Sequence, residues 1–481
     1  MDTGSGDILE TAFHPNAIAV AGASEDPVSA GYDYMRHLLD YGYSRHIYPV
    51  NPSKQVVLGL KAYPNLSSIS EPVDYVICCL PASKALDLLA ECPSRDGKVV
   101  QFYTARLSET GRQTAKDLEA RILKEARKLG IRLIGPNCMG IYYPRQGISF
   151  GYDFPKEAGT VGAVFQSGGA SNLLIRYGEL QGLRFSKVIS YGNALDLDES
   201  DFLHYLAHDD ETKIIAAYIE GVKDGTKFLD ALRVAAQAKP VLIIKGGRGR
   251  AGTKAAVSHT ASIAGSDIVW ETAFRQAGAI QAQDLNELVN LLAAFYFLPP
   301  IRGNRVGIIG GGGGKSVMSA DACERAGFVV SPLPPEIDDE LRVKAPELQG
   351  WLGNPADISI TPGSSIGGWD ILDGMAKSPH FDFIIVNLTE EAPLSKNPWS
   401  GLIRSETEGI IKMSQQWLKP LVAVVSGGKI TSEQFQDWRW KLLAEQRTQL
   451  VAAGSPTYST ITEEAATIRK VIDYWQKKSA I

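Results

Sequence analysis

Short apolar runs recur along the chain. Most are followed by a segment whose apolar positions fall at helical spacing. NAIAVAG (16–22) leads into YDYMRHLLDYG and then HIYPVNPSK; VDYVICCLP (73–81) leads into SKALDLLAEC; KVVQFYT (98–104) precedes a long amphipathic stretch ending near Lys128-Leu-Gly130, followed by RLIGPN (132–137). Strand-length apolar runs alternating with helix-length amphipathic ones predict a parallel, doubly wound α/β sheet. In such sheets ligands sit at the carboxyl ends of strands. Here those ends carry Pro81-Ala-Ser83, Thr104 and Gly135-Pro-Asn137.

The rhythm breaks at GIYYPRQGISFGYDFPKEAG (140–159), a turn-rich, aromatic segment that reads as a connection between domains. It resumes with TVGAVFQ, SKVISYGN (186–193), KIIAAYIE (213–220) and PVLIIK (240–245), breaks again at FYFLPPIRGN (295–304), and resumes with RVGIIG, DFIIVNL (382–388) and PLVAVVSGG. Three α/β domains are expected: 1–145, 155–297 and 303–481. The first opens as a Rossmann-like nucleotide-binding fold, and the other two are further parallel-sheet α/β domains.

Composition narrows the class. A chain of 481 residues is long enough for about three domains. Its net charge of −5 gives no basic footprint for nucleic acid. No run approaches the ~18 consecutive apolar residues of a membrane helix. The start, MDTGSGDILE, lacks the basic and apolar regions of a signal peptide. Cys78, Cys79, Cys92, Cys138 and Cys323 are odd in number and lack metal-ligand spacing, so reduced thiols and a cytoplasmic location are expected.

Three small-residue turns follow strands. Gly22-Ala-Ser24 follows the first run and is placed to offer backbone N–H groups to a phosphate. It lacks the dinucleotide fingerprint, because Ser24 and Pro27 stand where G-x-G-x-x-G needs glycine, and Lys54 rather than an acid follows the second strand. Ser167-Gly-Gly-Ala170 is a second candidate anion site at a helix start. In GGGGGKS (310–316), Ile309 stands where a Walker A loop needs its first glycine, which favours a glycine-rich turn over a P-loop.

The chemistry converges on GGRGRAGTKAAVSHTASIAGSD (246–267), a loop of small residues carrying His259 beside Arg248, Arg250 and Lys254. Taken alone, His259 reads more readily as a surface histidine than as an imidazole set among cations to receive a phosphoryl group. The topology adds weight to the second reading: Ser167, Glu220 and His259 fall on one edge of the second sheet. His204 and His208 lie one helical turn apart without a third ligand, so a solvated helix face is expected and no metal site is assigned.

With these motifs in order, residues 10–478 resemble the α subunit of ADP-forming acyl-CoA synthetases, relatives of the succinyl-CoA synthetase α chain. The matching segments are GAS-x-x-P with Gly31, IYPVNPSK, GPNCMG (135–140), QSGGA (166–170), YIEGVKDG (218–225), SHTASIAGSD (258–267), and NRVGIIGGGGGKSVMSADACERAG with NPADIS. The resemblance implies a Rossmann-like CoA-binding domain followed by two flavodoxin-like parallel-sheet domains, with a CoA site formed by Gly22, Ala23, Ser24, Lys54, Pro81 and Asn137. It implies phosphate binding by Ser167, Gly168 and Gly169, a phosphorylated His259, and Glu220 orienting it. The implied reaction joins a small carboxylic acid to CoA at the expense of ATP, through an acyl phosphate and a phosphohistidine. ATP/ADP with Mg²⁺ is expected on a separate ATP-grasp β subunit in an α2β2 assembly. Ala261 after His-Thr, Thr104-Ala-Arg106 and Lys315 depart from the family pattern and leave the identity of the acid open. The alternative is a non-catalytic CoA- or acyl-CoA-binding protein on the same scaffold.

Overall fold

The computed structural model describes residues 4–92, 98–249, 267–348, 350–361, 364–417, 419–426 and 436–479. The chain divides into two compact units, one of residues 1–179 with 183–288 and one of residues 180–182 with 289–481. Their boundary falls inside the helix Leu285–Phe297, ahead of the segment at 295–304 expected to link the second and third domains.

The first unit holds two principal sheets. One contains β1 (Ala17–Ala21), β2 (His46–Val50), β5 (Tyr75–Cys78), β6 (Val99–Phe102) and β7 (Arg132–Ile134), with β3 (Val56–Val57) and β4 (Leu60–Lys61) forming a small separate hairpin. Its order is β2-β1-β5-β6-β7, parallel throughout. Every residue of β1, β5 and β6 is buried. These strands therefore read as continuous apolar runs, as expected of a sheet covered on both faces.

The second sheet contains β8 (Gly140–Tyr142), β9 (Val161–Phe165), β10 (Phe185–Ser190), β11 (Ile214–Ile219), β12 (Val241–Lys245) and β13 (Ile280–Ala282), in the order β13-β12-β11-β9-β10-β8. All pairings are parallel except β8 on β10. The segment read as an interdomain connection is therefore partly a strand of this sheet. Its rings explain why: Tyr142, Tyr143, Phe150 and Phe154 are buried, with the Tyr142 and Phe154 centroids 5.3 Å apart in an edge-on contact. Polar turn residues suggested a linker, but the apolar area of four aromatics outweighs them. The acidic stretch ALDLDESD caps the helix Glu199–His208, where Asp198 and Asp201 form a reciprocal capping box.

The second unit is built on β14 (Val306–Gly310), β15 (Phe383–Asn387), β16 (Leu421–Val424) and β17 (Thr457–Tyr458), a parallel sheet in that order. Its core packs Trp399, Ile403 and Ile410 of the helix Lys396–Gln416 against Ile384 and Val386. Among the described residues no helix is long and apolar enough to cross a membrane.

Candidate active site

At the end of β9 the chain turns through Gln166 and Ser167 into the helix Gly168–Leu180. Ser167 caps that helix: its Oγ accepts from the Ala170 N–H at 3.3 Å, and its carbonyl accepts from the Ser171 N–H at 3.0 Å. The N–H groups of Gly168 and Gly169 open the helix, where no intrahelical acceptor exists for them. A Cβ on Gly168 would lie 2.6 Å from Met139 Cγ, whereas one on Gly169 would meet nothing within 4 Å. The first glycine is required by packing; the second borders open space.

The neighbouring strand, β11, delivers Glu220. Gln166, 5% exposed, places its Oε1 to accept the Glu220 N–H at 2.7 Å and the Gly221 N–H at 3.2 Å. Burial, and secondarily the nearby Glu220 carboxylate, push the Tyr218 hydroxyl up to about 12, so the phenol remains a proton donor to that carboxylate at neutral pH. From β12, Lys245 donates to the Glu220 carbonyl at 2.7 Å and to the Gly246 carbonyl. Gly246 begins the histidine loop directly against this group: a Cβ there would lie 2.4 Å from the Tyr218 hydroxyl and 3.2 Å from Glu220 Cγ. His259, with Arg250, Lys254 and Ala261, lies outside the described residues.

Ser167, Gly168, Gly169 and Glu220 line one cavity of about 840 Å³. Pro81, Ala82 and Ser83 after β5, Thr104 and Arg106 after β6, and Asn137 after β7 line the same cavity. Its polar wall is continuous. Asn137 Nδ2 donates to Asn193 Oδ1 at 3.4 Å, and Asn193 Nδ2 donates to Glu109 Oε2 at 2.8 Å. The other Glu109 oxygen accepts the Arg106 and Leu107 N–H groups. Arg106 and Asn137 hold left-handed backbone conformations with φ of 71° and 57°. Burial pushes the thiols that border the cavity up, Cys138 to about 12 and Cys79 well above its usual range, which disfavours the thiolate form.

The structure separates the six residues expected at the CoA site. Pro81 and Asn137 line the cavity. Gly22, Ala23, Ser24 and Lys54 do not. Gly22 lies behind the wall, where its Cβ position is 3.1 Å from Leu80 Cδ2. Nor are the Gly22 and Ala23 N–H groups offered outward, because both donate to the Val50 carbonyl, at 3.1 and 3.2 Å. The following helix begins only at Ala30, behind a Ser29 cap, several residues beyond the turn along the chain. Lys54 pairs with Glu25 at 3.5 Å on the surface.

Sequence reading assigned no role to Gln166 or Asn193. Gln166 acts on a residue 54 positions away through strand pairing, and nothing local to it signals that. In the third turn, Lys315 sits within the helix Gly313–Arg325 and donates to the Leu388 carbonyl at 2.9 Å. A P-loop lysine would reach phosphates instead. His204 and His208 are exposed, and among the described residues no three His, Cys, Asp or Glu side chains cluster to hold a metal ion.

Two sheets of one unit, one wholly parallel and one nearly so, thus bring a helix start and a carboxylate to one cavity. Residues 16–144 match the CoA binding domain, 158–295 the succinyl-CoA ligase-like flavodoxin domain and 306–375 the ligase-CoA domain. The chain is 32% identical over 462 residues to the acetate–CoA ligase [ADP-forming] II subunit alpha of Pyrococcus furiosus, covering 95% of this chain and 96% of that one. It is 36% identical over 352 residues to the acetate–CoA ligase [ADP-forming] of Methanocaldococcus jannaschii, of which it spans 49%. A solved structure of the Ca. Korarchaeum cryptofilum dinucleotide forming acetyl-coenzyme A synthetase 1, in complex with phosphate and ADP, superposes with a TM-score of 0.80 at 28% identity, covering 98% of this chain and 97% of that one. The chain belongs to the ADP-forming acyl-CoA synthetase family, built from succinyl-CoA ligase-like domains.

Proposed function

We propose that this chain is the α-type part of an ADP-forming carboxylate–CoA ligase, with residues 1–145 contributing the CoA side, 155–297 the phosphohistidine side and 303–481 a third α/β domain. The observation that supports this reading best is the shared cavity, in which Pro81 and Asn137 face the Ser167–Gly169 helix start and Glu220. Backbone N–H groups at a helix start suit phosphate or a developing acyl phosphate. A carboxylate beside the stem of the His259 loop suits an orienting partner, since bonding one imidazole nitrogen leaves the other as nucleophile.

In this reading ATP phosphorylates a His259 ring nitrogen and ADP leaves. The phosphoryl group then passes to a carboxylate oxygen of a small acid, regenerating the imidazole. The CoA thiol attacks the acyl carbon of the resulting acyl phosphate, the C–O bond to phosphate breaks, and the thiol proton leaves with the released phosphate or with solvent. Gly168 and Gly169 hold the phosphoryl oxygens, Ser167 fixes the helix start, and Glu220 holds the imidazole. Gly22, Ala23, Ser24 and Lys54 are assigned to CoA on the family resemblance, outside the cavity wall that Pro81 and Asn137 form. ATP/ADP with Mg²⁺ is assigned to an ATP-grasp β partner in an α2β2 assembly.

The test mixes the chain with a candidate β subunit, Mg²⁺ and ATP, and measures intact mass and acid-labile phosphate. One acid-labile phosphoryl group per chain, absent from His259→Ala, is expected. Unlabelled wild type that still binds CoA would instead favour the non-catalytic CoA-binding reading.

A further inference from the structure

Lys245 is the last residue of β12 and is 5% exposed. Val241 to Ile244 before it are apolar and buried, so packing this strand asks for no charge at its end. Burying an amine that can carry charge costs solvation, which its surroundings must offset. Burial lowers Lys245 from the usual lysine range, an effect that the nearby Asp267 and Glu220 oppose and Arg248 reinforces. A group placed at such cost calls for a reason beyond packing.

The reason lies in what the amine touches. It donates to the Glu220 carbonyl at 2.7 Å and to the Gly246 carbonyl, and it lies 5.1 Å from the centre of the Trp270 ring, within cation–π range. Glu220 is the carboxylate assigned to orient His259. Gly246 begins the histidine loop, and Trp270 stands in the first turn of the helix Asp267–Ala277 that follows it. The Trp270 ring is itself fixed, with the Phe228 and Phe274 ring centres 5.9 and 5.7 Å from its own. The two ends of the loop are also joined at the surface, where Arg248 Nε lies 3.4 Å from Asp267 Oδ2. That pair is partly exposed and contributes little. Lys245 makes the buried connection, and it alone of the two also holds the backbone of Glu220.

We propose that Lys245 is a positioning residue for phosphoryl transfer: it fixes both ends of the histidine loop relative to the Glu220 carboxylate. The proposal rests on the ligase reading given above, and it adds a residue to which that reading gives no role.

Single-turnover phosphorylation of the full chain with a candidate β subunit, Mg²⁺ and ATP tests it. Lys245→Met keeps the apolar stem and removes the charge and the donors. It is expected to slow labelling at saturating ATP by about 10- to 100-fold, the scale of a small misplacement of reacting groups. The ATP concentration for half-maximal rate stays unchanged, because ATP is held elsewhere. In a Glu220→Gln background the same substitution is expected to slow labelling by less than about twofold, since the carboxylate it positions is gone. A merely structural role would cost the same factor in both backgrounds. Should Lys245→Met fail to fold, Lys245→Gln, polar but too short to reach both carbonyls, is carried through the same comparison with the same expectation. Wild type without label would overturn the ligase reading and this proposal together. With wild type labelled, three results would overturn this proposal alone: a wild-type rate in the variant, equal factors with and without Glu220, or a change confined to the ATP dependence.

Discussion

Three strand-to-helix turns in this chain share one sequence character, and they differ in what their backbone N–H groups touch. At the first turn, Gly22 and Ala23 donate to Val50 of the adjacent strand. At the third, Gly310 donates to the Ala356 carbonyl and Gly312 to the Glu391 carboxylate. At the second, Gly168 and Gly169 begin a helix at the wall of a cavity of about 840 Å³. Glycine and serine make close backbone approach possible in all three. Whether the approach serves a ligand or the protein itself depends on which acceptors the fold has already placed there.

The largest effect expected from testing this comparison is at the first turn. A Cβ on Gly31 would lie 1.9 Å from the Gly22 carbonyl oxygen. Backbone cannot yield as a side chain does, so Gly31→Ala is expected to destabilise by about 3 kcal/mol, read by denaturant unfolding. A loss below about 1 kcal/mol would show that this turn is loose enough to open toward a ligand.

Next comes the carboxylate beside the second turn. Glu220→Gln keeps shape and loses charge, and is expected to slow phosphorylation of the chain by about 100-fold or more with Tm preserved. Unchanged labelling kinetics would remove Glu220 from the chemistry. Gln166→Leu follows: it leaves the Glu220 and Gly221 N–H groups without their acceptor, expected to cost about 1–3 kcal/mol per buried group. It is also expected to slow phosphorylation less than Glu220→Gln does, because it displaces the carboxylate without removing it. Stability loss with wild-type labelling would make Gln166 purely structural.

The smallest effect concerns the third turn. Inorganic phosphate titrated into ¹⁵N-glycine-labelled wild type is expected to shift the Gly168 and Gly169 amides and to leave Gly312 unmoved. In Glu391→Ala the Gly312 amide, now without its carboxylate, is expected to respond as well, with a stability change under about 1 kcal/mol at this exposed position. If Gly312 responds equally in both proteins, internal capping does not distinguish these turns.

Apolar periodicity made the three mainly parallel sheets legible, because strands buried on both faces read as near-continuous runs without polar residues. It also placed Ser167 and Glu220 at the carboxyl edge of one sheet, and the cavity joins them. Among the elements of the second unit that were not legible are the helices Pro335–Lys344, Gly368–Lys377 and Trp438–Ala452 and the two-residue strand β17. β17 is too short to show alternation. Trp438–Ala452 mixes tryptophans with polar residues that blur helical spacing. The aromatic segment after residue 140 misled for a related reason, since its turns are local whereas its burial depends on distant partners.

By itself, the sequence determined the element order, the parallel character of the sheets and the placement of small-residue turns after their strands. These follow from local propensity and side-chain periodicity, which act within a few residues. Only tertiary structure decided that Gly140–Tyr142 joins the second sheet, that Gln166 holds Glu220 across 54 residues, and that Lys315 turns inward to Leu388. It alone decided what the backbone N–H groups of three similar turns touch. Each of those outcomes rests on a hydrogen-bond acceptor or an apolar surface supplied from far along the chain, and local sequence carries no record of a distant partner.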